Sequence, residues 1–410
     1  MTTHSDNAVT PFGSLSAALI DQLRDLNAIR TDRVADAFRA VPRHVFAPDA
    51  PVEEVYSNQP IVTKRDERGL AISTVSAPRI QAFMLEQADI QPGMRVLEIG
   101  SGGVNAAYIA ELVGEAGEVT TMDIDPFVID RAKRFLPEAG YGQVNVVLAD
   151  AEFGAPKHAP FDRVVVTVGA WDIPAAWWEQ LAPGGLIVVP IRIRSLNRSV
   201  AFQLDGGHLV SQSIERAGFV AMQGAGAFGE EVVYLHDDTV ALRVDDGQQA
   251  NGALLAAALK QPRAESWTGV TVGDQEPFDD LDMFLATTLP GFCLLTAHDS
   301  AVVEGIVQAR PWGSSALFCG GTFAYVVLRQ LGPDRHEFGV YGHGTDAEGL
   351  AARVVDQINA WNSRHRNGAA PVISAYPAGT PDDQLPGSLV IDKKHTRFTV
   401  SWPCRGTRCS

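Results

Sequence analysis

Residues 95–125 read RVLEIGSGGVNAAYIAELVGEAGEVTTMDID. A short apolar run enters a glycine-rich turn, a helix-forming stretch follows, and a second apolar run ends in acids. Backbone without a Cβ can turn tightly and let a ligand approach closely. Outward from this stretch the alternation continues. Strands are predicted at 95–99, 118–123, 144–148, 162–168 and 186–191, and helices at 78–88, 104–113, 126–135 and 174–181. Strands alternating with helices predict a parallel sheet covered on both faces, a doubly wound α/β domain.

The flanks read differently. Leu15, Leu19, Ile20 and Leu23, then Val34 and Phe38, show helical spacing, with Ser14 and Thr31 as N-caps. A turn-rich stretch runs from Pro42 to Pro60. Residues 1–13 carry neither a basic start nor an apolar stretch, so they read as a disordered lead-in and not a signal peptide. The α/β alternation dissolves near residue 220, and MQGAGAFGEE (222–231) reads as a glycine-rich hinge. The expected division is therefore 14–220 for the α/β domain and 221–410 for a smaller α+β domain. In the latter, helices are predicted near 250–260 and 346–361, with strands near 292–296, 302–308, 315–319 and 323–330. HEFGVYGHG (336–344) reads as a strand and turn.

Composition narrows the function classes. The net charge of −16 argues against a nucleic-acid partner, which needs clustered Lys and Arg. No apolar run reaches the roughly 20 residues of a membrane span. Cys293 and Cys319 fall in apolar segments and read as buried thiols, and Cys404 and Cys409 as a reduced tail. Without a disulfide framework the cytoplasm is the expected compartment. The ten histidines lack metal-ligand spacing, so no metal is expected.

The turn also constrains its ligand. Its spacing is G-x-G-G, not G-x-G-x-x-G, and Glu98 just before it would repel a pyrophosphate. Asp123 ends the second strand, placed for ribose hydroxyls, and Asp150 ends the third, offered to an adenine amino group. S-adenosylmethionine fits: a sulfonium, an amino acid, ribose and adenine, with no phosphate. The expected cofactor-facing set is Glu98, Gly100, Ser101, Gly102, Gly103, Asn105, Asp123, Ile124, Asp150 and Ala151. S-adenosylhomocysteine would be the product.

With those residues in view, the chain resembles the protein L-isoaspartyl O-methyltransferase family over roughly residues 15–220. The resemblance rests on VPRHVFAP (41–48), STVSAP (73–78), VLEIGSGG (96–103), VVLADAEFG (146–154), PFDRVVVTVGA (160–170), Ile173-Pro174 and QLAPGGLIVVPI (180–191). It implies a Rossmann-like class I methyltransferase fold, S-adenosylmethionine as donor and a peptide carboxylate as acceptor. By position, Ser76 matches the family's active-site serine and Thr74 the threonine two before it, the expected catalytic pair. Ser73, Val75, Arg79 and Trp171 are the expected substrate contacts, and Phe161-Asp162 a structural strand motif.

Methylating a carboxylate needs little acid–base help, because an aspartate with pKa near 3.9 is already ionised at neutral pH. Ser76 is thus expected to orient the acceptor and not to attack it. Its alternative reading is a helix N-cap ahead of Pro78. Arg192, Arg194 and Arg198 read as the solvated face of an edge strand, and Trp177 and Trp178 as core.

The chain departs from the family pattern in three places. Val104-Asn105 follow the glycines, Ser73 replaces a usual glutamine, and Trp171-Asp172 stand where small residues are usual. The chain also continues past residue 220, where the repair enzymes end. Together these point to the family's peptide-tailoring relatives. The expected substrate is an aspartate in a ribosomally made, cyclised precursor peptide, leading to aspartimide or isoaspartate. Repair of isoaspartyl protein is the alternative, and the C-terminal domain is assigned to peptide recognition or homodimerisation.

Overall fold

The computed structural model describes residues 11–245, 247–386 and 389–403. They form two compact units: the chain up to Ile191 with Arg198–Ala227, and Arg192–Asn197 with the chain from Phe228 onward. Residues 1–10 of the expected lead-in, and Cys404 and Cys409, lie outside the described residues. Residues 11–13 already belong to the first helix, Pro11–Asp25, so Ser14 stands inside that helix and does not cap it. Thr31 does cap the next, Asp32–Ala40, its hydroxyl accepting the Val34 N–H at 3.4 Å.

In the first unit five parallel strands lie in the order Asn145–Leu148, Glu118–Asp123, Arg95–Ile99, Phe161–Val166, Leu181–Ile193. Leu196–Asp205 and His208–Arg216 follow as an antiparallel pair. The order reverses beside Arg95–Ile99, and loops leaving opposite ways there open a crevice at the carboxyl ends of the strands. Val96, Leu97 and Ile99 are all buried because helices cover both faces. The helix Val104–Val113 buries every residue but Glu111, and Phe38 stacks on its Tyr108 at 4.2 Å. A small antiparallel hairpin, Ile61–Arg65 with Ala71–Val75, stands apart from this sheet.

The second unit holds a seven-stranded antiparallel sheet. Helices Asp279–Thr288 and Ala347–Arg364 cover one face, packing Leu285, Val354 and Trp361 on Phe292, Val326 and Phe338. Helix Gly252–Leu259 covers part of the other through Leu255 and Ala258. The strand expected at 302–308 is instead the end of a short helix, Asp299–Val303, closed by Gly305 at φ +75°. Its apolar run misleads because Val303 points into solvent. Cys293 is buried as expected, but Cys319 is exposed.

Two of the three arginines read as a solvated edge serve this unit instead. Arg194 donates to the carbonyls of Ala286 (2.7 Å) and Leu289 (3.0 Å) at the end of a helix, where a cation is favoured. Arg192 meets Asp245 at 3.3 Å, and Arg198 is buried in the first unit, where a further strand covers what the sequence presents as an edge. Trp361 is fully buried, its indole N–H donating to Asp280 at 3.1 Å and its ring edge-on to Phe338. Trp361→Ala should therefore lower the stability of the second unit by about 3–5 kcal/mol. Calorimetry should show its transition shifting while that of the first unit stays in place.

Candidate active site

At the crevice, Thr167 ties the turn to the neighbouring strand, its N–H donating to the Ile99 carbonyl and its hydroxyl to that of Gly100, each at 2.7 Å. Asp123 accepts the Ser101 N–H (3.1 Å) with one oxygen and the Asp125 N–H (2.8 Å) with the other. Burial still raises its carboxyl above the usual aspartate range. Glu98 is fully buried. One oxygen accepts the Thr121 hydroxyl at 2.5 Å, while Oε1 makes no hydrogen bond. Burial pushes this carboxyl up to about 7, against the pull of Thr121 and the nearby Asn105 amide.

Ser101 Oγ is likewise buried without a partner, and Asn105 Nδ2, though close enough to Glu98 to lower its pKa, makes no hydrogen bond of good geometry. Each such group costs about 1–3 kcal/mol unless something satisfies it. An acid, a hydroxyl and an amide donor on one strand–turn–helix segment suit a ligand with an ammonium and a carboxylate, as S-adenosylmethionine has. A divalent metal would find no comparable set: among the described residues no three His, Cys, Asp or Glu cluster for one.

At the nucleoside end, Ile124 is partly exposed, and the Ala151 carbonyl accepts the Trp177 indole N–H at 2.8 Å. Asp150 is half-buried. Its two oxygens accept the backbone N–H groups of Glu152 and Ala225, both at 2.9 Å. The boundary between the units falls at Ala227 and Phe228, inside the stretch 222–231 expected to be a hinge, and Gly224–Gly226 lies within the first unit, Gly224 against Asp150 and Ile124. A Cβ on Gly224, at φ +77°, would stand 2.4 Å from Asp150 Oδ2 and 2.7 Å from Ile124 Cδ1.

On the acceptor side, the strand Ala71–Val75 brings Thr74 over the glycines, so that a Cβ on Gly102 would stand 3.8 Å from the Thr74 carbonyl oxygen. Ser73 accepts the Thr63 hydroxyl at 2.9 Å. Val75 turns the other way and is buried in the core, so it is no acceptor contact. Ser76 is half-buried, and its carbonyl accepts from Arg43 at 2.7 Å. It is not the N-cap of Pro78–Ala88, because that place is taken by Ala77 without a side-chain bond. Arg79 is exposed, its backbone N–H held by Asn58 at 3.0 Å. Trp171 is half-buried in the loop after Phe161–Val166, beside a buried Asp172. Trp177 is core, as expected, while Trp178 is only half-buried.

Two side chains were missed in the sequence. Lys64 pairs with Asp125 at 2.5 Å and lies 5.5 Å over the Phe127 ring, tying the hairpin to the helix that follows Asp123. Arg43 is almost wholly buried beneath the acceptor loop. The stretch VPRHVFAP hinted at Arg43, whereas nothing local marks Lys64.

Comparison with known proteins bears on this arrangement. Residues 14–226, more than half of the chain, match the family model described as protein-L-isoaspartate(D-aspartate) O-methyltransferase. The protein-L-isoaspartate O-methyltransferase of Methanopyrus kandleri is 37% identical over 215 residues, 52% of this chain and 92% of that one. That of Methanococcoides burtonii is 38% identical over 208 residues, 50% of this chain and 100% of that one. A solved structure named protein-L-isoaspartate O-methyltransferase shares the fold at TM-score 0.50 and 23% identity, covering 88% of this chain and 96% of its own.

Proposed function

The chain belongs to the protein-L-isoaspartate(D-aspartate) O-methyltransferase family, and we propose that it methylates the free carboxylate of isoaspartyl residues in proteins or peptides, as a repair enzyme does. It is an S-adenosylmethionine-dependent carboxyl O-methyltransferase. The observation that supports the reading is the closeness of Thr74 to Gly102, where an added Cβ would stand 3.8 Å from the Thr74 carbonyl oxygen. The names of the relatives favour isoaspartyl repair over tailoring of a precursor peptide. The C-terminal extension does not separate the two, because a structure with the isoaspartyl name spans 88% of this chain.

When bound, S-adenosylmethionine supplies a methyl group made electrophilic by its sulfonium. Glu98 would take its ammonium, Ser101 and Asn105 its carboxylate, and Asp123 its ribose hydroxyls. The acceptor carboxylate arrives ionised, so no base is required. Ser76 would hydrogen-bond one carboxylate oxygen and leave the other aimed along the transfer line. Holding the two partners in line and excluding water can supply roughly 7–11 kcal/mol of the barrier. In the resulting ester, the next residue's backbone nitrogen attacks the carbonyl carbon and methanol leaves. The succinimide so formed takes up water to give aspartate or isoaspartate.

The test uses the full chain, S-adenosylmethionine and one peptide made in isoaspartyl and aspartyl forms, with a cyclised aspartyl peptide beside them. Mass spectrometry should show one added methylene, then methanol loss, on the isoaspartyl form alone. Modification confined to the cyclised aspartyl peptide would sink the repair reading. Ser76→Ala should lower kcat/KM for the isoaspartyl peptide about 10–100-fold, the worth of one hydrogen bond to a charged group. Calorimetric affinity for S-adenosylhomocysteine should not change.

A further inference from the structure

Arg43 is 1% exposed, yet every group it bonds is neutral. Its Nε donates to the Val55 carbonyl (2.9 Å), one terminal nitrogen to Gln81 Oε1 (2.6 Å), and the other to the Ser76 carbonyl (2.7 Å). A buried cation without a counter-carboxylate is costly, and is tolerated where its hydrogen bonds are complete. The planar fork of a guanidinium can meet three diverging acceptors at once, which the single ammonium of a lysine cannot.

Those acceptors come from three segments: the short helix Val52–Val55, the helix Pro78–Ala88, and the acceptor loop between strand and helix. The guanidinium also faces Tyr108 of the helix Val104–Val113. Three residues further along the same 3₁₀ turn, Arg43–Phe46, the ring of Phe46 fills the space where a Cβ of Gly103 would be, 2.9 Å from it. The Phe46 carbonyl is fastened in turn by Arg131 at 2.8 Å. One four-residue turn thus touches the acceptor loop at one end and the donor glycines at the other.

We propose that Arg43 is a positioning residue for methyl transfer, holding the Ser76 carbonyl so that the acceptor loop keeps its place over the donor turn. This rests on the reading of residues 73–76 as the acceptor loop. Arg43 touches neither reacting group; it acts through the backbone of Ser76. Its loss should therefore impair transfer while leaving the donor end intact, a split that general loosening of the fold would not give.

The test is Arg43→Lys in the full chain. The kcat for an isoaspartyl peptide should fall about 100-fold, the scale of a misplacement of roughly 1 Å. Affinity for S-adenosylhomocysteine by calorimetry should stay within about twofold. Hydrogen exchange followed by mass spectrometry should quicken over residues 71–77 and stay unchanged over 118–123, a donor-side strand. A kcat near the wild-type value overturns the proposal. So does a parallel loss of donor affinity with faster exchange over 118–123.

If the lysine variant does not fold, Gln81→Leu removes one acceptor and leaves Arg43 in place. It should lower kcat about fivefold, with the same split. An unchanged kcat there also overturns the proposal. If the wild-type chain does not methylate isoaspartyl peptides, the functional reading fails, and exchange over 71–77 alone decides the role of Arg43.

Discussion

Replacing Glu98 with glutamine is expected to stabilise the donor-free protein at pH 8 and to weaken donor binding. Full burial raises this carboxyl to about 7. Below the ordinary glutamate pKa, near 4.3, the group is protonated both folded and unfolded, so it imposes no penalty. As pH climbs from there to about 7, the unfolded chain ionises while the folded chain keeps its proton, and stability falls. Above that range the full penalty is present, about 4 kcal/mol. Glutamine keeps the shape and the acceptor for Thr121 without the charge. Unfolding of the first unit should thus shift upward at pH 8 and hardly move at pH 4. Equal shifts at both values would mean that Glu98 is not the buried acid described here.

The same substitution should cost about 100-fold or more in donor affinity, because the ligand ammonium loses the buried carboxylate whose Oε1 makes no hydrogen bond. In the wild-type protein, donor affinity should decline as pH falls below about 7, since the protonated carboxyl cannot pair with an ammonium. Binding near pH 7 should also release a proton. Calorimetry in two buffers of different ionisation enthalpy would reveal it, and identical heats in both would contradict the assignment.

The second large effect is expected at Gly103. Its φ of +86° and ψ of −48° lie where a residue with a Cβ is strained, at about 1–2 kcal/mol or more. The added methyl would also meet Phe46 at 2.9 and 3.0 Å, and that ring is fully buried and cannot swing away. Forcing extra volume into a packed core typically costs another 1–3 kcal/mol. Gly103→Ala should therefore destabilise the first unit by about 2–5 kcal/mol and reduce binding of S-adenosylhomocysteine more than 10-fold. Adding Phe46→Leu should restore part of the stability, since it relieves the contact but not the backbone strain. A Gly103→Ala variant that melts and binds like wild type would refute the close packing of this turn.

The legible parts of the fold share one cause. The strands Arg95–Ile99 and Glu118–Asp123 are covered on both faces, so each reads as a continuous apolar run. The hairpin Ile61–Arg65 with Ala71–Val75 is mostly half-exposed, and its residues carry no clear alternation. The pair Leu196–Asp205 and His208–Arg216 went unread for the same reason at its second strand, which is largely half-buried. Within the candidate site, Glu98, Asp123 and the glycines stand out in the sequence because their residue types and spacing are local and chemically unusual. Val75 was misplaced because neighbours in a strand face opposite ways, and only the pairing with Ile61 shows which way is inward.

The sequence by itself determined the α/β class of the first unit and the donor turn, because each follows from short-range pattern, while the carboxyl chemistry is what the resemblance to the family implies. Tertiary structure alone decided which groups those residues meet. Asp150 clamps the backbone of Ala225 seventy-five positions away, Arg43 reaches Ser76 across thirty-three, and Lys64 reaches Asp125 across sixty-one. Such partners are chosen by packing in three dimensions, where a hydrogen bond depends on distance and direction and not on separation along the chain.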